Sequence, residues 1–279
     1  MVSLSRTQAL LRLELSDAVR SRWLAFVMLA YTLVFGAFAW LGLRESSVLG
    51  FTGLSRVVLN AANAVVVLLP LVALVATSQS VVRARSSGLF ELLLSQPCRV
   101  SEWFAAVVLA RLIVLAGPLL AVLALVLASG ELSAEAGTAS VVLRAALVSV
   151  SLIASFTGLG LCVSAYSRSS ERAVVMALLV WLWVSVLHDF ALIGVLLGLR
   201  VEPHLVFGLS ALNPVEAARL ALLSSVDPEL SVLGPVGFWL ANAFGARLTL
   251  LVGASWPLLL AALGLTLALR RLQRSDLSP

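Results

Sequence analysis

Six stretches of the chain, 24–43, 57–77, 104–129, 144–167, 173–199 and 247–269, are apolar over close to or above the roughly 20 residues that a helix needs to cross hydrocarbon. Inside a bilayer a backbone N–H or C=O has no water to bond, so each span must satisfy its own backbone, which an α-helix does within one segment. The alternating pattern of a transmembrane β-barrel is absent from these solid runs. Residues 1–279 are therefore expected to form one all-α integral membrane domain with six transmembrane helices. Composition agrees: 61% of residues are hydrophobic and 12% charged, against about a quarter charged in a soluble domain.

The formal net charge is +5, and all 19 basic residues are arginine. They stand singly at the ends of the apolar runs, without a basic stripe or interleaved aromatic platform, so they report topology and point away from nucleic acid. Arg6, Arg12, Arg20, Arg22, Arg83, Arg85, Arg99, Arg168, Arg172, Arg270, Arg271 and Arg274 fall on one side in short segments. Arg44, Arg56, Arg144, Arg200, Arg219 and Arg247 fall on the other, over longer loops. An arginine excess in short loops marks the cytoplasmic side, so both termini are expected there. Cys98 then lies in a cytoplasmic loop and Cys162 in the fourth span, and both are expected to be free thiols.

Missing residues exclude whole classes of chemistry. Without lysine there is no Walker A motif to reach nucleotide phosphates and no Schiff-base amine. His188 and His204 do not make a membrane zinc-peptidase site, no GxSxG occurs, and the three methionines do not cluster with the cysteines as copper ligands would. No catalytic, cofactor-binding or metal-ligating residue is expected. Gly158-Leu159-Gly160 reads as a place where transmembrane helices pack closely.

Outside the spans, three segments carry information. In residues 1–23, Leu4, Leu11, Leu15, Ala18 and Val19 share one helical stripe opposite Arg6, Ser16, Asp17 and Arg20, with Leu10 and Leu13 off it. That pattern predicts a helix lying in the membrane interface. In the loop between the second and third spans, Ser86-Ser87-Gly88 leads into Leu89-Phe90-Glu91-Leu92-Leu93-Leu94, closed by Ser95-Gln96-Pro97. Proline does not continue a helix, so the insert is about two turns long. A loop of this size has no core of its own to receive an apolar helix, which must bury its face on a docking partner or on the membrane surface. Finally, 200–247 is apolar but broken by Pro214, Pro228, Pro235 and Gly237, which predicts short helices at the extracytoplasmic mouth rather than spans.

Within the spans Arg111 and Asp189 are the costly residues, since an ionisable group near the bilayer centre costs about 2.5–3.5 kcal/mol unless partnered. Arg111 is near the cytoplasmic end of its span and can extend to the headgroups. Asp189 is too short to do so, and a structural ion pair with Arg144 or Arg247 is expected; a place on a transport path is the alternative.

The segment Gly88-Leu89-Phe90-Glu91-Leu92-Leu93-Leu94-Ser95-Gln96-Pro97 resembles the coupling helix of ABC-2 type permeases, and Glu14 to Trp23 resembles their elbow helix. Gly50-Phe51-Thr52-Gly53-Leu54, Leu69 to Leu74, Leu187 to Leu192 and Leu212-Asn213-Pro214 narrow the likeness to the NosY-type permeases of nitrous oxide reductase maturation. The resemblance implies a type V exporter arrangement in a bacterial inner membrane, working as a homodimer. It implies two separate cytoplasmic ATPases of NosF type, which bind the ATP and Mg, and a periplasmic partner of NosD type. It assigns ATPase coupling to Gly88, Leu89, Phe90, Glu91, Leu92, Leu93, Leu94 and Pro97, with Ser169 and Glu171 of the 166–172 loop, and an outer gate or partner contact to Asn213, Pro214 and Trp239. The alternatives are an ABC-2 exporter of a lipid, peptide or drug, and a secondary transporter without ATP.

Overall fold

Among the described residues, five helices are long and apolar enough to cross a membrane. The computed structural model describes residues 4–20, 66–95, 98–128, 138–198, 203–227, 229–230 and 234–274, with residues 29 and 33; apart from those two residues, the span expected at 24–43 lies outside the described residues. In chain order the helices are α1 (Leu4–Arg20), α2 (Val66–Ser86), α3 (Leu89–Leu94), α4 (Val100–Ala128), α5 (Thr138–Tyr166), α6 (Ser170–Leu182), α7 (His188–Gly198), α8 (Pro203–Leu212), α9 (Pro214–Val226) and α10 (Gly234–Arg274). No strand occurs among the described residues. A single π-helical turn, Trp183–Leu187, joins α6 to α7.

Small residues set the closest approach. A Cβ on Gly158 of α5 would stand 2.7 Å from the Ala261 carbonyl oxygen of α10, and one on Gly264 would stand 2.8 Å from the Gly158 backbone. Two residues along, on another face of α5, a Cβ on Gly160 would meet the Thr77 hydroxyl and come within 3.2 Å of the Leu74 carbonyl on α2. Lipid tails are as apolar as leucine, so helices in a bilayer gain little from hiding apolar surface and associate through this kind of backbone-close packing. The contact runs most of the length of α5 and α10, making them the spine of the bundle.

Two apolar clusters lie along the spine. One joins Leu69, Leu74, Leu115, Leu152, Phe156 and Ala221 of α2, α4, α5 and α9. The other, at one end, joins Val81, Phe90, Trp103, Leu161, Ala268 and Leu272 of α2, α3, α4, α5 and α10. The α2 helix breaks at Gln79, and the side chain of Gln79 makes no cap for the turn that follows. Starting a helix leaves its first N–H groups without partners. Ser164 of α5 supplies the acceptor: Val81 and Val82 both donate their backbone N–H to its Oγ, at 3.0 and 3.2 Å.

Gly158→Ala is expected to force α5 and α10 apart and cost about 1–3 kcal/mol of stability, read as a lower Tm of the purified protein. Gly194→Ala, where no atom lies within 4 Å, should leave Tm unchanged or slightly raised. Equal effects at the two glycines would remove the spine from the account.

Candidate functional site at the two ends of the bundle

At one end the chain reverses through Gly88, whose φ of 71° is the left-handed conformation that glycine adopts without strain. The last turn of α2 closes by Ser87 N–H to Arg83 O at 3.0 Å and Gly88 N–H to Arg85 O at 3.3 Å, and α3 begins one residue later. Phe90 is 2% exposed and meets Trp103 of α4 edge to face, ring centroids 4.9 Å apart. The apolar insert therefore does have a core to receive it, which corrects the expectation that the loop offers none: the ends of α2, α4, α5 and α10 form a pocket around Phe90. One turn of helix cannot bury all its faces in one pocket. Leu92 is 62% exposed, pointing away from the bundle. Nothing is described of the side chains of Glu91, Leu93 and Leu94, and Gln96 and Pro97 lie outside the described residues.

The turn between α5 and α6 lies at the same end, since Ala165 belongs to the cluster around Phe90. Ser169 is the N-cap of α6, accepting the backbone N–H of Arg172 on its Oγ at 3.3 Å, and Glu171 is exposed in the first turn. Arg271 of α10 lies over the Tyr166 ring, 5.6 Å from its centroid, a cation–π contact that ties α10 to the same turn.

Helix α1 packs along α4, and the residue that reaches the Phe90 cluster is Leu10, off the predicted stripe, alongside buried Ala18. Glu14 accepts the indole N–H of Trp103 at 3.2 Å. Burial pushes the Glu14 carboxyl above the usual range, opposed by the charge of Arg111 and by the Trp103 hydrogen bond. Arg111 thus faces carboxylates from α1, with Asp17 adding to Glu14.

At the other end a second polar group gathers. In the π turn the His188 N–H reaches back five residues to the Trp183 carbonyl, a widened geometry that recurs at functional positions. Asn213 bridges this turn to α9, its Nδ2 donating to the Val184 carbonyl at 2.6 Å while its Oδ1 accepts the Val215 N–H at 2.9 Å as N-cap. Pro214 follows at the first helical position, where its missing N–H costs nothing. Glu216 at N3 is placed to reach back to the cap N–H, as in a capping box. That N–H already bonds the Ser210 carbonyl, and Glu216 pairs instead with Arg219 one turn on. Arg219 Nη1 also lies 3.5 Å from Asp189 Oδ2.

Asp189 is therefore partnered by Arg219 of α9, and the pairing expected with Arg144 or Arg247 is corrected. Arg144 sits near the start of α5 and Arg247 just past the bend of α10 at Gly245, whereas α9 folds back into the bundle and brings its own arginine to Asp189. Trp239 of α10 packs against the cluster of Leu223, Leu230 and Leu240, edge to face with Phe244 at 6.0 Å. Gly245, at φ 68° and ψ 162°, then bends α10 into its long apolar part. Trp256 of that part donates its indole N–H to the Leu212 carbonyl at 3.0 Å, and His188 Nε2 lies 3.2 Å from the Leu209 carbonyl. The α8–α9 hairpin is thus tied to both flanking helices. Arg219 and Glu216 were missed in the sequence; their three-residue spacing within an apolar segment is the signal that marks them.

A family model described as ABC-2 family transporter protein matches residues 8–277. The chain belongs to the ABC-2 transporter family. It is 29% identical over 268 residues to a protein of Stutzerimonas stutzeri named "Probable ABC transporter permease protein NosY", covering 92% of this chain and 94% of that one. A Pseudomonas aeruginosa protein of the same name is 30% identical over 230 residues, covering 77% and 81%. As an ABC-2 permease the chain is a multi-pass membrane component of an ABC transporter, whose ATPase is a separate subunit.

Arg219→Gln should strand two carboxylates and cost up to about 3 kcal/mol, of which the added substitution Asp189→Asn recovers part. Thermal unfolding of the single and double variants measures the coupling. Coupling of Asp189 to Arg144 or Arg247 instead, with none to Arg219, would contradict the assignment.

Proposed function

We propose that this ABC-2 permease works as a homodimer with two cytoplasmic ATPase subunits of NosF type, which bind the ATP and Mg and dock on α3. The observation that carries this reading is the division of α3 between an inward Phe90, locked among the span ends, and an outward Leu92 that is 62% exposed. A push on Leu92 is then delivered through Phe90 to α2, α4, α5 and α10 together. The arginine excess supports a cytoplasmic position for this end and both termini, with α1 as the elbow in the interface and α8–α9 at the outer mouth. Ser169 and Glu171 extend the docking face. The composite α6–α7 exposes Met176, Leu179, Trp183, Phe190 and Ile193, an apolar face suited to a second copy of the chain.

The likeness to NosY-type permeases supports service in the maturation of the copper-sulfur centres of nitrous oxide reductase, with a NosD-like periplasmic partner resting on the outer segment near Asn213, Pro214 and Trp239. The alternative of an ABC-2 exporter for an apolar cargo draws on one feature, a cleft between α9 and α10 lined by Ala217, Leu220, Phe244, Leu248 and Val252.

Because Leu92 is exposed, Leu92→Asp should fold and insert normally yet fail to co-purify with the ATPase, having placed an unpaired charge in an apolar contact. Phe90→Ala should instead lower stability itself, by about 3–5 kcal/mol. Co-purification and stimulated ATPase activity are the readouts; undiminished stimulation of Leu92→Asp would move the docking site elsewhere. Cells lacking this chain should produce nitrous oxide reductase without its copper-sulfur centres, measured by copper content and absorption of the purified reductase. A fully loaded reductase would favour export of another cargo.

A further inference from the structure

The contact between α7 and α9 carries more negative charge than it can balance. Asp189 and Glu216 both approach one nitrogen, Nη1 of Arg219, so a single guanidinium faces two carboxylates. Around them Asn213, Val215, Ala217 and Ala218 are buried, and the Glu216 side chain is 11% exposed against 35% for Asp189, so the excess charge is least hydrated at Glu216. A buried, uncompensated charge is far more costly than a neutral group. Two carboxylates sharing a site resolve this by holding one proton between them. The other ionisable group on the π turn and α7 is His188, whose Nδ1 lies 4.0 Å from Asp189 Oδ1. Helices α5 and α10, which pack on α9, carry Arg144 and Arg247 in this half of the bundle, and neither acts on Glu216; Arg219 and Asp189 are the charges that do.

We propose that Asp189 and Glu216 form a proton-binding site, one carboxylic acid and one carboxylate held against Arg219, whose occupancy sets how firmly the α8–α9 hairpin seats on the π turn. The hairpin's hold on the π turn rests on two identified bonds, Asn213 to Val184 and Arg219 to Asp189, with Trp256 to Leu212 tying it to α10, while the apolar face of α9 stays packed on α5 and α10. With the proton bound, the cluster is neutral and the three groups stay together. With it lost, the carboxylates repel and the pairing with Arg219 must be shared.

Burial pushes the Glu216 carboxyl up to about 7, Arg219 opposing the rise and Asp189 adding to it. A carboxyl raised in the seated state binds its proton more tightly there than when exposed, so the proton favours seating. That contribution is complete below the ordinary carboxylate range and is lost as pH rises through about 7.

The test uses the full-length chain in lipid nanodiscs. Infrared spectra should show a carboxylic-acid carbonyl band in the wild type that fades as pH rises through about 7 and is absent from Glu216→Gln. Over the same range wild-type Tm should fall and hydrogen exchange in peptides from 203–226, corrected for intrinsic rates, should quicken, while Glu216→Gln shows neither change. Asp189→Asn, which relieves the like charge and frees Arg219 for Glu216, should move the midpoint to lower pH. The proposal is overturned by an unchanged pH response in Glu216→Gln, by the absence of any carboxylic-acid band, or by sodium ions restoring wild-type Tm at alkaline pH, which would make the site one for a metal cation.

Discussion

A broken helix in a membrane must find partners for its backbone, and this fold meets that requirement with side chains borrowed from other helices. Where α2 breaks at Gln79, Ser164 of α5 takes both freed N–H groups. The Val184 carbonyl of the π turn receives Asn213 from the start of α9, and the Leu212 carbonyl ending α8 receives Trp256 from α10. In water each of these bonds would compete with solvent and contribute about 0.5–1.5 kcal/mol. In hydrocarbon the alternative is an unsatisfied polar group costing several kcal/mol, so the irregular points of single helices become the points where helices are joined.

That placement gives the bundle its mechanical character. The glycine-lined contact of α5 with α10 brings backbones together and leaves no flexible side chains to absorb a displacement. At one end of this spine sits the Phe90 pocket, at the other the hairpin seated by Asn213, Arg219 and Trp256. A force on α3 meets four helices through one aromatic ring. At the far end a few polar bonds join two short helices to a widened turn, while the apolar face of α9 stays packed on α5 and α10.

Much of the helical character was legible because long, solid apolar runs have only one way to satisfy their backbone in lipid. The bounds of α3 were legible too, since Gly88 and Pro97 bracket it in the sequence. Its inward face was not. Leu89-Phe90-Glu91-Leu92-Leu93-Leu94 is apolar nearly all round, so no stripe tells Phe90 from Leu92, and the pocket is assembled from helix ends far apart in sequence. Leu10 escaped for a related reason: α1 packs along another helix, whose contact selects a face that the stripe did not mark. The partner of Asp189 was misjudged because distance from a helix end stood in for depth. Arg219 looked like a loop residue, yet α9 returns into the bundle, a fold-back that no periodicity announces. The π turn of Trp183–Leu187 leaves no mark in composition.

The central claim is that α3 moves as one body with the ends of the helices around Phe90, so that force on it reaches the whole bundle. Spin labels at the exposed Ser95, which follows α3, and at Arg274 in the assembled transporter, with the interlabel distance measured by electron resonance, test this most directly. The distance should be the same without nucleotide and with ATP trapped, while in the proposed homodimer the distance between Ser95 labels on the two copies changes. A Ser95 to Arg274 distance that shifts by as much as the distance between copies would show α3 sliding on the bundle, and the account would fail.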